Sequence, residues 1–263
     1  MPLIDTHCHL DNIQYQDDID QVIKTALNNG IKAFLIPGAD PKDLPKAVEL
    51  SEKYDEVFFA VGVHPYDCEN FDIELLEKYV SHQKCIAIGE CGLDYFRLPD
   101  DEEEKQQNIE LQKDIFIKQI EFAKKVKKPL IVHIREASND SKTILISNNA
   151  KEVGGVLHCF NASEHLLDLS DHGFYFGIGG VVTFKNAKKL IEILPKIPLE
   201  KIIIETDGPY LTPHPFRGTR NEPKYTNDIA LKISEILNMS QLDVEKLTTN
   251  NAKKLFKEFE NIN

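Results

Sequence analysis

Leu3-Ile4-Asp5-Thr6-His7-Cys8-His9-Leu10-Asp11 opens the chain with a short apolar run that turns polar at its end. Side chains two apart in a strand share a side, so Asp5, His7 and His9 project together and Cys8 opposes them. Seven further short apolar segments follow, each ending in glycine, proline or a polar cluster: Lys32 to Pro37, Val57 to His64, Cys85 to Glu90, Leu130 to Arg135, Val156 to Phe160, Phe174 to Gly179 and Ile202 to Asp207. These spans read as eight buried strands. Segments with helical spacing lie between them, most clearly Glu102 to Lys128, whose acidic start and lysine-rich end match the helix dipole. Its charge runs are therefore read as structural. Two further helices are expected at about Asn227 to Leu237 and Leu242 to Phe259, the second capped at Ser240-Gln241-Leu242-Asp243. The predicted fold is α/β, a TIM-type (β/α)8 barrel forming a single domain over residues 1–263, with an open doubly wound sheet as the structural alternative.

Composition sets the outer limits. With 41% hydrophobic and 28% charged residues the chain fits a soluble globular protein, which excludes disorder, collagen and coiled coil as the main state. No run approaches the roughly 18 apolar residues of a membrane helix, and the start lacks the features of a secretory signal, so the expected location is cytoplasmic without membrane association. Five cysteines without a Cys-x-x-Cys pair argue against a disulfide framework or a structural zinc site. Cys8, Cys91 and Cys159 each neighbour a strand-end polar residue, so alternation turns all three toward the helix layer as small fillers. The net charge of −12 means that a polyanionic substrate must be held by local cations.

Strand C-terminal ends converge on one barrel mouth, where active sites of this architecture lie. His7, His9, His64, His133 and His158 occupy such ends, as do Glu90, Glu205 and Asp207. Four imidazoles (His7, His9, His133, His158) and two carboxylates (Glu90, Asp207) exceed what one tetrahedral ion uses, and so imply two divalent cations with Glu90 between them. A metal-free plug of hydrogen-bonded polar groups is the competing structural reading. Glu205 is either an orienting group or the partner of Arg135.

Several motifs stand in order along nearly the whole chain: Asp5-Thr6-His7-Cys8-His9-Leu10-Asp11, Gly62-Val63-His64-Pro65, Gly89-Glu90-Cys91-Gly92-Leu93-Asp94-Tyr95, Val132-His133-Ile134-Arg135-Glu136-Ala137, Leu157-His158-Cys159-Phe160, Glu205-Thr206-Asp207-Gly208-Pro209-Tyr210-Leu211 and Arg217-Gly218-Thr219-Arg220-Asn221-Glu222-Pro223. In these the sequence resembles the TatD family of metal-dependent deoxyribonucleases, within the amidohydrolase-type barrels. The resemblance implies His7, His9, Glu90 and Asp207 on one metal and Glu90, His133 and His158 on the other, with His64 near the scissile group. Cys91 stands where the family usually has an aliphatic residue, and Asn161-Ala162-Ser163 replaces its usual small pair after His-Cys-Phe, which affects the loop there.

The chain has 27 lysines and only four arginines, Arg97, Arg135, Arg217 and Arg220, all in or beside mouth motifs. Arginine's planar fork suits phosphate, so Arg97, Arg135 and Arg217, with Tyr95 as a base-stacking ring, are expected to contact substrate. Arg220 paired with Glu222, and Arg135 with Glu136 or Glu205, is the structural alternative. The expected activity is hydrolysis of DNA phosphodiesters by water activated between two ions (Mg²⁺, Mn²⁺ or Zn²⁺), with Asp207 as proton acceptor and His64 as donor to the phosphate. The alternative is ester or amide hydrolysis, such as aminoacyl-tRNA deacylation, on the same barrel. DNA is the expected partner, single-stranded or at 3′ ends, and no obligate protein partner is evident.

Overall fold

The computed structural model describes residues 2–262. Eight parallel strands pair in chain order: β1 (Leu3–Asp5), β2 (Ile31–Ile36), β3 (Val57–Val61), β4 (Cys85–Asp94), β5 (Leu130–Arg135), β6 (Gly155–Leu157), β7 (Phe174–Ile178) and β8 (Ile202–Ile204). Around them lie α1 (Ile19–Asn28), α2 (Leu44–Lys53), α3 (Ile73–Val80), α4 (Glu102–Val126), α5 (Ser138–Ser147), α6 (Lys188–Ile193), α7 (Thr226–Leu237) and α8 (Gln241–Leu255). The expected eight-stranded barrel in one domain is the observed architecture. Among the described residues no helix is long and apolar enough to cross a membrane.

The first and last strands meet just past their ends. Thr6 N donates to Ile204 O (3.2 Å), Asp207 N to His7 O (2.8 Å) and His9 N to Gly208 O (2.8 Å). Asp5, fully buried, accepts from the backbone N and hydroxyl of Thr206 across the same seam. The backbone bonds that close the barrel therefore also place His7, His9 and Asp207.

The expected strand ends are corrected in both directions. β1, β3, β6 and β8 stop before His7, His64, His158 and Glu205 respectively, because the backbone there leaves the ladder to form the mouth. β4 instead continues through Glu90 to Asp94, with a register shift against β5 between Ile88 and Cys91. Gly89, at φ +154°, permits this approach, since a Cβ there would fall 2.6 Å from Ile131 Cβ. The β6–β7 connection is a 3-10 segment, Glu164–His172, and not an α-helix.

α4 begins where expected, with the Asp101 carboxylate accepting from the backbone N of Glu103 and Glu104. It ends at Val126, two residues before the predicted end, because Lys127 takes a left-handed conformation. Ser240 caps α8 by accepting from Asp243 N, while Asp243 accepts from the Ser240 hydroxyl in return. The predicted final helix breaks at Phe256 and resumes as the 3-10 turn Lys257–Asn261. Phe256 and Phe259 are thereby buried under the barrel against Ile4, Leu35, Phe58 and Ile203. The larger core lies between the strands and the helix layer, where Phe34, Phe59, Phe116 and Phe176 are completely buried.

Candidate metal centre at the barrel mouth

Six side chains from five strand ends face one another. His7 Nε2 lies 3.3 Å from His9 Nε2, 3.4 Å from Glu90 Oε2 and 3.8 Å from Asp207 Oδ1. His9 Nε2 is 3.9 Å from the same Glu90 oxygen and 3.6 Å from Asp207 Oδ1. The other oxygen, Oε1, is 2.8 Å from His133 Nδ1, 3.6 Å from His158 Nε2 and 3.8 Å from His64 Nε2. Glu90 thus stands between two donor sets, one oxygen toward each.

These spacings suit dications. Four ligands at about 2.0–2.1 Å in a tetrahedron have edges near 3.3–3.4 Å, close to the His7–His9–Glu90–Asp207 separations. Charge points the same way. Glu90 is 3% exposed, and among the described residues no lysine or arginine pairs with Glu90, Asp94, Glu205 or Asp207. Buried carboxylates need compensating positive charge, and only imidazoles are near. Burial pushes the Glu90 and Asp207 carboxyls up, but the surrounding histidines outweigh it and hold both below the usual range. Burial likewise disfavours a charged His158, yet Glu205 and Glu90 raise it to about 10, while His7, beside it, is lowered by burial and by His158. The His7 and His158 rings stack at 3.5 Å, so two full positive charges there repel. A divalent ion would supply the compensation with the imidazoles neutral, and the residues present fit such an ion.

Outer partners orient the ligands. His133 Nε2 is 2.8 Å from Asp94 Oδ2, leaving Nδ1 for Glu90 and the cluster. His158 Nδ1 is 3.0 Å from Glu205 Oε1, and Glu205 also accepts from Cys159 N. Glu205 is therefore an orienting group and not the partner of Arg135. Asp94 was missed by sequence reasoning, although it follows Glu90 at even spacing on the same strand. His64 Nδ1 accepts from Tyr66 N, which puts the ring proton on Nε2, facing Glu90. Burial lowers the His64 pKa to about 3, so the ring is a neutral N–H donor.

Two orientation expectations fail. Asp5 is occupied by Thr206 across the barrel seam and does not join the imidazoles. Cys159 lies within 4.8 Å of ligand atoms of His158 and Asp207 and lines the mouth, because its φ of +42° ends strand alternation after Leu157. Cys8 and Cys91 are fully buried, near the carbonyls of Gly208 and Ile131, as small fillers should be.

A cavity of about 650 Å³ opens beside the cluster, with Arg97, Arg135 and Lys189 on its walls and Phe160, Val181, Leu190 and Leu211 among its apolar lining. Arg135 lies 3.6 Å over the exposed Phe96 ring and Arg97 is 5.2 Å from that of Tyr66. Arg217 stands outside this lining, 4.0 Å over Phe184 and donating to Thr212 O. Tyr95 also lies outside it, its hydroxyl donating to Asp140. Arg220 is the structural arginine: it grips Asp18 with two nitrogens and reaches Glu222.

The model of TatD related DNases matches residues 4–257. The chain belongs to that family. Among TatD relatives, the "Uncharacterized metal-dependent hydrolase YabD" of Bacillus subtilis is 41% identical over 97% of this chain and 99% of its own length. The "Uncharacterized metal-dependent hydrolase YcfH" of Escherichia coli is 34% identical, covering 97% of this chain and 96% of its own. The crystal structure of the E. coli TatD homologue YJJV superposes with a TM-score of 0.88 at 26% identity, covering 97% of this chain and 98% of that one. As a TatD family member the protein is a metal-dependent hydrolase.

Proposed function

We propose that the protein hydrolyses DNA phosphodiester bonds at the barrel mouth, with two divalent ions held by His7, His9, Glu90 and Asp207 and by Glu90, His133 and His158. The observation that carries the phosphodiester reading is one cavity lined by His133, His158 and Asp207 of the donor cluster together with Arg97 and Arg135. When bound, the ions supply Lewis-acid polarisation of the phosphate and make water acidic enough to react near neutral pH.

The chain's own groups do the rest. Asp207, 13% exposed at the edge of the cluster, takes a proton from the attacking water. The water oxygen forms a bond to phosphorus as the P–O3′ bond breaks, and the 3′-oxygen leaves on the opposite side and is protonated from solvent. His64 donates its Nε2 proton in a hydrogen bond to a phosphate oxygen. Arg135 and Arg97 offset the charge that gathers on phosphorus oxygens. Arg217 and Tyr95, outside this cavity, are further contacts only for a strand extending past the mouth.

Purified protein with Mg²⁺ or Mn²⁺ and 3′-labelled single-stranded DNA should release nucleotides, and EDTA should abolish release. Asp207→Asn should keep its circular dichroism spectrum and lose turnover by at least about a hundredfold. Intact DNA alongside cleavage of an ester such as an aminoacyl-tRNA would overturn the phosphodiester assignment and favour the ester hydrolase.

A further inference from the structure

At the opposite end of the barrel lies a second cavity of about 660 Å³, as large as the one at the mouth. Pro129, Gly154, Gly173 and Lys201, which immediately precede β5, β6, β7 and β8, help to form it, so it opens at the strand N-termini. The wall carries seven lysines against two glutamates, a surplus of five positive charges on a chain whose net charge is −12.

The helix dipole accounts for part of this. Lys124 donates to Asn148 O at the end of α5 and pairs with Glu121, and Lys128 donates to Cys85 O at the start of β4, so both are engaged within the fold. Lys127, Lys151, Lys254 and Lys257 are different: all four are exposed, and among the described residues none forms an ion pair. Lys201 rests 4.5 Å over the Tyr175 ring, an aromatic wall of the same cavity. These lysines come from four separate parts of the chain: the turn after α4, the segment before β6, the approach to β8, and α8 with its 3-10 extension. Point charges converging on a hollow suit a compact anion with several negative groups, whereas a polymer backbone is tracked by a stripe.

We propose that this cavity is a binding site for a compact polyphosphate, either the phosphate chain of a nucleotide or an inorganic polyphosphate, separate from the metal centre. Unpaired cations on a protein of opposite net charge mark a place where local attraction outweighs the overall repulsion. The volume falls within the range of small-ligand sites.

The test is calorimetric titration of the full chain, in EDTA, with ATP, inorganic tripolyphosphate, adenosine and a dT8 oligonucleotide in parallel. ATP and tripolyphosphate should bind and adenosine should not. Tighter binding of ATP identifies the nucleotide as the source, and equal binding identifies the bare polyphosphate. The combined variant Lys127→Gln, Lys151→Gln, Lys254→Gln should weaken binding on the order of tenfold or more, while Arg135→Ala at the mouth leaves it unchanged. Lys151→Glu alone, one exposed charge, should weaken it in the same direction if the combined variant folds poorly. Absence of polyphosphate binding, loss of binding in Arg135→Ala but not in the lysine variants, or tighter binding of dT8 than of ATP at these lysines would each overturn the proposal.

Discussion

Two buried carboxylates outside the donor cluster decide how two of its imidazoles point. Asp94 holds His133 by Nε2, and Glu205 holds His158 by Nδ1. Removing such an outer partner typically costs 10–100-fold in metal affinity. Asp94→Asn and Glu205→Gln should each weaken binding of Mn²⁺ or Zn²⁺ by that order in competition with a chelator, with the folded spectrum retained; unchanged affinity would reduce both residues to packing. The six proposed ligands were legible because each lies at the polar end of an apolar run. Asp94 was not, since its strand continues past the first polar residue, a property of the glycines Gly89 and Gly92 and not of any charge pattern. Cys159 was misplaced because a left-handed residue just past β6 reverses the side that alternation assigns.

Among elements, the C-terminal turn does what a helix reading does not convey. The period of α8 continues into Phe256 and Phe259, which made one long helix the natural inference, but burial under the barrel draws both rings inward and breaks the helix at Phe256. The Phe259 ring is completely buried and meets Phe58 edge-on at 5.0 Å between centroids. Phe259→Ala should destabilise the fold by about 3–5 kcal/mol, the usual cost of emptying a buried aromatic position. Urea unfolding would report it, and a loss below about 1 kcal/mol would show that the barrel floor does not depend on this ring. The ends of β1, β3, β6 and β8 were read too long for a related reason: pairing stops where the chain must turn toward the mouth, and apolar runs do not record where a ladder's hydrogen bonds end.

For the whole molecule, alternation of apolar runs with helical segments was enough to give the barrel, because eight such units have few ways to bury both faces of a parallel sheet. Closure was expected, but the bonds that make it were not legible, since they join backbone groups of Thr6, His7 and His9 to those of Ile204, Asp207 and Gly208, mostly beyond the strands. A net charge of −12 leaves Arg97, Arg135 and Lys189 as the cations of the mouth cavity. With about three phosphate contacts on single-stranded DNA, the logarithm of substrate affinity should fall with the logarithm of salt at a slope no steeper than about −2. A much steeper slope, measured through KM, would mean that DNA engages a wider basic surface. The most direct test is anomalous diffraction from crystals grown with Mn²⁺ or Zn²⁺. The account expects two ions at the mouth, with the Glu90 carboxylate between them, His7, His9 and Asp207 on one and His133 and His158 on the other. A single ion, or ions that Glu90 does not touch, would contradict it.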